Sequence, residues 1–217
     1  MSEAIRPALL MVAMEPPASL EEEFNDWYDT EHFPQRLALP GFVSASRWAC
    51  IDGWPRWLAL YDLTSPDALN SAAYRSVSGA QSTPWSRRVL PRTVGRSRVV
   101  AVGLDGQDHT QYEPREVCRL LAMSVALPQD AAAKSAVALA SEASASAQAI
   151  IAAVREALTP RGDLLQLRGF VEDDQTLWLF ASFDSPASAT LAAQIGRPCG
   201  ASIRSFNVYV PYRRSSY

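Results

Sequence analysis

Apolar positions along the first hundred residues switch between two periods. Residues 8–14 form a short apolar run closed by Glu15-Pro16-Pro17, the pattern of a buried strand ended by a turn. From Leu20 the period lengthens to that of a helix. With Leu20 at zero and about 100° per residue, Phe24, Trp27 and Tyr28 share a stripe that faces a core. Ser19 is placed to cap this helix, and Glu21, Glu22 and Glu23 fill its first turn, where acids meet the positive end of the helix dipole. Residues 42–51 and 56–63 then read as two strands around an Asp52-Gly53 hairpin turn. Ser65-Pro66 opens a second helix running to about residue 77, 85–90 is a short amphipathic segment, and 93–104 is a fourth strand.

After a polar linker at 106–114 the same order returns. Strand 118–127 is followed by an alanine-rich helical stretch, 130–158, with a break expected near 141–146. Strands 164–172 and 176–183 flank Asp173-Asp174, Ser185-Pro186 opens another helix, and 202–210 is the last strand. Spacing supports an internal repeat: Ser65-Pro66 and Ser185-Pro186 lie 120 residues apart, as do Ala72-Ala73 and Ala192-Ala193. Leu9, Met11, Ala13 and Pro16 match Leu121, Met123, Val125 and Pro128 at an offset of 112, which puts the extra residues in the first helix of the second half. The predicted fold class is α+β, with two tandem ferredoxin-like βαββαβ units, 1–105 and 115–217, whose antiparallel sheets pair into an α/β barrel. Pairing within one chain predicts a monomer with an intramolecular barrel, or a homodimer formed through other surfaces. The barrel interior is the expected ligand pocket.

Composition removes several classes of partner. A chain of 217 residues with 48% hydrophobic content can bury a sizeable core. A net charge of −3 and a pI near 5.4 give no basic footprint for nucleic acid. The absence of a long apolar run or a signal-like start predicts a cytoplasmic protein with no membrane partner. Cys50, Cys118 and Cys199 are scattered, with no CxxC pair and no neighbouring histidine, so free thiols are expected and a zinc site is not. No glycine-rich turn precedes a helix and no GxSxG is present, which argues against a nucleotide cofactor and a serine nucleophile. No metal and no cofactor are expected; the expected partner is a small molecule.

Candidate chemistry concentrates at 21–42. On a straight helix Glu31 falls near 20°, in the middle of the apolar stripe, and His32 near 120°, on its edge. A carboxylate on a core-facing stripe is costly and marks a candidate site. The plainer alternative is that Pro34 disfavours helical geometry at Phe33, so the helix bends or ends near His32 and carries Glu31 into water. Asp29, near 180°, is expected to be solvated. The candidate catalytic residues are His32 as general acid or base, Glu31 as its orienting or proton-accepting partner, and Tyr28 as a donor to a developing oxyanion or simply as core.

Trp27, Arg47, Trp48, Trp57 and Tyr61 are the candidate substrate-binding residues. Trp48 shares a strand face with the small residues Ser44, Ser46 and Cys50, leaving room for a ligand, and Trp57 and Tyr61 on the paired strand are expected to line the same space. Arg47, on the other face, either binds an anion or snorkels at an edge. Arg87, Arg88, Arg92, Arg96 and Arg98 form a basic patch expected to pair with the acids of 21–31, and His109 in the linker is expected to be exposed.

The stretch FNDWYDTEHFPQRLALPGF, followed by RWLALYDLTSP, resembles the dimeric α/β barrel superfamily, in particular EthD-like proteins. Those have an aromatic-rich helix ending in a histidine and, after a one-residue gap, a proline; here that is Trp27, then His32-Phe33-Pro34. The second half follows only in element order and has no histidine in its matching helix. The resemblance implies relatives among small isomerases, polyketide cyclases, cofactor-free monooxygenases, haem binders and proteins with no assigned activity. It implies a cofactor-independent lyase or isomerase, or a monooxygenase-like enzyme, acting on a small oxygenated apolar substrate by His-mediated proton transfer. A non-catalytic ligand-binding or assembly protein is the alternative. The second half is expected to be scaffold, since its helix offers Ala131, Ala132, Ala133, Ala138, Ala140, Ala143, Ala145, Ala147 and Ala149 in place of proton-transfer groups.

Overall fold

All eight alternating or apolar segments become strands, each within one residue of its predicted ends. They are β1 (Ala8–Glu15), β2 (Phe42–Asp52), β3 (Trp57–Leu63), β4 (Val94–Gly103), β5 (Arg119–Ala126), β6 (Leu164–Glu172), β7 (Thr176–Phe183) and β8 (Ile203–Pro211). The structure is a computed structural model that describes residues 6–104, 109–127, 136–173, 175–186, 191–199 and 203–212. The strands close one antiparallel barrel in the order β1-β3-β2-β8-β5-β7-β6-β4. Each half contributes four neighbours in the same internal order, β4-β1-β3-β2 and β8-β5-β7-β6, which is the ferredoxin-like order. The seams lie within one chain, at β2–β8 (Ala49 opposite Val210) and β4–β6 (Val102 opposite Val171).

Strand alternation then sorts side chains to two sides. Leu9, Met11 and Ala13 of β1 point into the barrel, where they meet Trp48, Leu58 and Leu60 from the first half and Phe170, Phe180 and Tyr209 from the second. The interior expected to hold a ligand is thus filled by side chains. Inside it Arg168 Nη1 donates to Asp62 Oδ1 at 2.7 Å, with both side chains at most 5% exposed. Asp62 Oδ2 accepts from Ser44 Oγ at 2.7 Å and from the Thr110 amide at 2.8 Å. Burial alone would raise the Asp62 carboxyl, but Arg168 and the Thr110 hydrogen bonds outweigh it and hold the group below its ordinary value. The linker covers this end of the barrel: Gln166 Nε2 donates to the His109 carbonyl at 2.9 Å, and His109 Nε2 lies 3.4 Å from the Leu63 carbonyl. His109 is therefore half-buried rather than exposed.

Helices cover the outer face, and the two halves do so differently. In the second half, α5 (Ala136–Leu158) is one continuous helix with no break at 141–146, and α6 (Leu191–Cys199) lies beside it. Val154, Leu158, Leu191 and Ile195 fill the space above Met123, Leu177 and Leu179 with aliphatic side chains. The approach is close at Gly169, where a Cβ would fall 2.3 Å from Ile151 Cδ1. In the first half, α1 (Glu21–Trp27) and α2 (Phe33–Leu37), joined by a π turn at Tyr28–His32, pack aromatic side chains on Trp57 and Tyr61. Leu20, not Ser19, occupies the α1 cap position, and no side chain caps it.

The helix predicted after Ser65-Pro66 is broken into a 3-10 turn, Pro66–Asn70, and the single turn α3, Ala72–Arg75, capped by Ser71. Next comes α4 (Pro84–Val89). Where the second half has α6, the first half thus has a short turn and a loop, and a gap remains above the sheet. Residues 130–135, 174 and 187–190 lie outside the described residues, as do the side chains of Ala138, Ala140, Ala143 and Cys199. Cys50 and Cys118 are free thiols.

Candidate functional site

The helix at 21–37 does not end at His32; it widens there. The Phe33 amide donates to the Tyr28 carbonyl, five residues back, and Pro34 then sits in the first turn of α2. Proline has no N–H for the Thr30 carbonyl and its ring would crowd that carbonyl, so a wider turn relieves both faults. Accommodating one extra residue sets every later position back by about 100° on the helix wheel. His32 therefore moves from about 120° to about 20°, the place a straight helix gives Glu31, and Glu31 swings off the apolar stripe. The His32 ring lies 4.4 Å from the Trp27 ring and 5.4 Å from that of Tyr28, centroid to centroid.

Glu31 is engaged elsewhere. Its carboxylate accepts a hydrogen bond from Thr83 Oγ1 at 2.5 Å, and Thr83 caps α4 by accepting from the Ser86 amide at 3.1 Å. Trp27 Nε1 donates to Ser86 Oγ at 3.1 Å. Glu31 and the Trp27 indole nitrogen thus dock α4 on α1. Asp29, expected in solvent, instead accepts from Arg47 Nη1 at 2.7 Å, while Arg47 Nη2 donates to Asn25 Oδ1 at 2.7 Å. The Arg47 guanidinium is buried beneath the helix, 4.3 Å from the Tyr28 ring centroid and 4.4 Å from that of Tyr212. It is neither an open anion site nor a snorkelling edge residue. The Trp48 assignment also changes. Register pairs Trp48 with Leu58, but Ala49 with Trp57 and Ala45 with Tyr61, so Trp57 and Tyr61 lie on the face opposite Trp48. Trp48 looks into the filled barrel, and its indole donates to Ser46 Oγ at 2.8 Å.

A cavity of about 490 Å³ lies between the widened helix, β1, β3, β4 and the loop after α3. Leu10, Val12 and Met14 form its apolar floor. Tyr28, His32 and Arg36, each four residues apart, come from the helix, and Tyr61 from β3. Tyr74 and Ser78 stand over it, and Arg96 and Arg98 of β4 are exposed at its edge. The structure thus brings together three of the sequence candidates, Tyr28, His32 and Tyr61. Arg36, Tyr74, Ser78, Arg96 and Arg98 were not among them. Of the predicted basic patch, Arg88 does pair with an acid, its Nε donating to Glu23 Oε1 at 2.8 Å. Arg96 and Arg98 form no ion pair among the described residues.

The cavity gathers unmet hydrogen-bonding groups. His32 Nδ1, Tyr61 Oη, Arg36 Nη1 and Ser78 Oγ are buried without partners, four of the seven such side-chain atoms among the described residues. Native interiors leave few groups in that state, and these four belong to residues around one cavity. Burial first, then the charges of Arg36 and Arg47, bring His32 down to about 3, so the imidazole is neutral at physiological pH. It can accept a proton but has none of the imidazolium form to donate, which removes the general-acid role for the empty site. Burial raises Tyr28 to about 12 and Tyr61 well above the ordinary tyrosine value, keeping both phenols as neutral donors. Burial likewise lowers Arg36, which remains charged as guanidinium does in proteins. No three His, Cys, Asp or Glu side chains gather among the described residues, and the cavity's charged groups are guanidiniums, which repel a cation. No helix among the described residues is long and apolar enough to cross a membrane.

No family model matches the sequence, and no curated protein matches it. Solved structures do match in fold over nearly the whole chain. An anthrone oxidase-like protein superposes with a TM-score of 0.60 at 9% identity, covering 97% of this chain and 93% of that one. Chlorite dismutase from Candidatus Nitrospira defluvii gives 0.58 at 6% identity, with 97% and 93% covered. A heme-binding protein from Thermus thermophilus gives 0.55 at 12% identity, with 96% and 92% covered. These likenesses define the class: a ferredoxin-like α+β barrel. At such identities they carry the fold and leave the chemistry to the site.

Proposed function

We propose that the first half binds a small, oxygenated, largely apolar molecule and removes a proton from it with His32, without a cofactor, as a lyase or isomerase does. The observation that carries this is a neutral histidine, its Nδ1 unpartnered, beside two neutral phenols in a cavity with an apolar floor. A base at about 3 is weak in the empty site. As the substrate's proton leaves, its oxygen becomes an anion beside Arg36, offsets the charge that depresses His32, and takes hydrogen bonds from Tyr61 or Tyr28. The base therefore strengthens as the carbanion or enolate forms. Return of the proton at another carbon completes an isomerisation. Attack of dioxygen on the same carbanion, giving a peroxide that takes up a proton and loses water to leave a carbonyl, is the monooxygenase-like variant, which the likeness to an anthrone oxidase-like protein favours. The same reading takes the chain as two tandem EthD-like units working in the cytoplasm as a monomer with an intramolecular barrel or a homodimer through other surfaces, the first carrying the site and the second serving as scaffold.

The test is hydrogen exchange. In D2O, wild-type protein is expected to speed deuterium entry at the acidic carbon of anthrone or 1-tetralone above the buffer rate, with His32→Gln abolishing the effect and Gln148→Ala on α5 preserving it. Mass spectrometry under air and under nitrogen separates oxygenation from isomerisation. Binding with no exchange by wild-type protein would establish the non-catalytic alternative. The truncation His32→Ala is a poorer choice than His32→Gln, because His32 packs on Trp27 and Tyr28 rather than lying at the edge of the apolar stripe.

A further inference from the structure

Among the described residues three arginines are buried, Arg36, Arg47 and Arg168, and they are not equivalent. Arg47, Arg56, Arg88, Arg161 and Arg168 each pair with a carboxylate. Arg36 has none. It is 7% exposed, donates Nη2 to the Val77 carbonyl at 3.2 Å, sits 5.1 Å over the Tyr74 ring, and leaves Nη1 buried and unpartnered. A buried charge without a counter-ion is destabilising, and a neighbouring carbonyl and ring replace only part of its lost hydration. Arg96 reaches only the Leu90 carbonyl at 3.4 Å, and Arg98 only Tyr74 Oη at 3.5 Å. Three guanidiniums thus line one cavity that, among the described residues, contains no acid. Ser78, with its unpartnered hydroxyl, adds a neutral donor beside them.

We propose that the ligand of this cavity carries an anionic oxygen group, carboxylate or phosphate, which Arg36 and Ser78 bind and which Arg96 and Arg98 draw to the mouth. This rests on the reading of the cavity as a ligand site and adds the class of ligand. The apolar body lies on Leu10, Val12 and Met14, and the anion supplies the counter-charge that the fold withholds from Arg36. Arg36 binds through paired N–H groups that suit a planar or tetrahedral oxyanion, while the exposed pair acts at longer range by attraction.

Calorimetry with 2-naphthoate, 2-naphthyl phosphate and 2-naphthamide tests this on the full chain. At least one anion is expected to bind about tenfold or more tightly than the isosteric amide. Which of the two binds better distinguishes carboxylate from phosphate. Arg36→Gln is expected to remove the preference. The double variant Arg96→Gln/Arg98→Gln, at exposed positions that do not endanger folding, is expected to weaken the anions alone and to flatten their salt dependence. Equal binding of amide and anions by wild-type protein would overturn the anion assignment while leaving the cavity as a ligand site. So would a preference that survives both the Arg36 change and the double change. Failure of every probe to bind, the amide included, would overturn the ligand-site reading and this inference with it.

Discussion

Acid should weaken this fold through His32 well before it reaches the carboxylates. The unfolded imidazole titrates near 6.5 and the folded one at about 3, so between those values the unfolded chain holds a proton that the folded chain does not. Stability therefore falls as pH drops through that window, by at most about 1.4 kcal/mol per pH unit. From pH 7 to pH 5 only the part below about 6.5 counts, which gives a ceiling of about 2 kcal/mol. Because one side of His32 faces the cavity, screening there reduces the expected value to about 1–2 kcal/mol. Urea unfolding at the two pH values should show wild-type protein losing that much more than His32→Phe, which keeps a ring against Trp27 and cannot titrate. Asp62, whose carboxyl is held below its ordinary value, adds stability that is lost only as pH falls further, below about 4. The protein has two histidines, so proton NMR of wild type and His109→Gln assigns the His32 titration directly. A His32 midpoint near 6.5, or equal pH sensitivity of the two proteins, would refute the account of a buried, cation-flanked imidazole.

Two further outcomes concern the frame. Arg168→Ala should destabilise the barrel by about 3–5 kcal/mol in urea unfolding by leaving Asp62 buried and unpaired, and the double change Arg168→Met/Asp62→Leu should recover most of that loss; equal losses for the single and double variants would contradict it. Gly95→Ala should lose about 1–2 kcal/mol from the left-handed backbone alone, since φ is +60° there. Its Cβ would also fall 1.9 Å from Trp54 Cη2, so a changed near-ultraviolet tryptophan signal should accompany the loss.

The strands and their pairing into one barrel were legible in the sequence because period-two alternation and turn residues act locally and agree with one another. The site was only half legible. Tyr28 and His32 stood out by residue type and spacing, but their placement depended on the wheel, and the wheel assumed a straight helix. Pro34 was read as an ending, whereas in the fold it is absorbed by a π turn that puts His32 where a straight helix would put Glu31 and swings Glu31 off the stripe. No periodicity reveals a one-residue widening, although a proline three positions after a carboxylate on an apolar stripe is the signal that could have raised it. The faces of β2 were separated correctly and the Trp48 face does look into the barrel, but Trp57 and Tyr61 on β3 were assigned to that side when they lie on the other. Trp48 with its small neighbours read as roomy, yet bulky residues of the other half fill that side. Arg36, Arg96 and Arg98 were missed because a lone arginine carries no mark of lacking a partner until its neighbours are known.

The difference between the halves follows from what each lays over the same sheet. Both use four strands in the same order, and both have a helix after the first strand. In the second half that helix carries small and aliphatic residues that lie close to Gly169, and α6 closes the remaining space. In the first half, the bulky rings of Phe24, Trp27 and Tyr28 pack between the helix and the sheet, and the widened turn at Tyr28–His32 brings His32 and Arg36 to the cavity. The region equivalent to α6 is only the single turn Ala72–Arg75 followed by a loop. Bulky side chains on one side and a missing helix on the other leave a gap, and four of the seven unpartnered buried side-chain atoms among the described residues belong to residues around it. The proposed ligand site thus rests on the residues that keep the first half from closing, whereas α6 and aliphatic side chains fill the corresponding space in the second half.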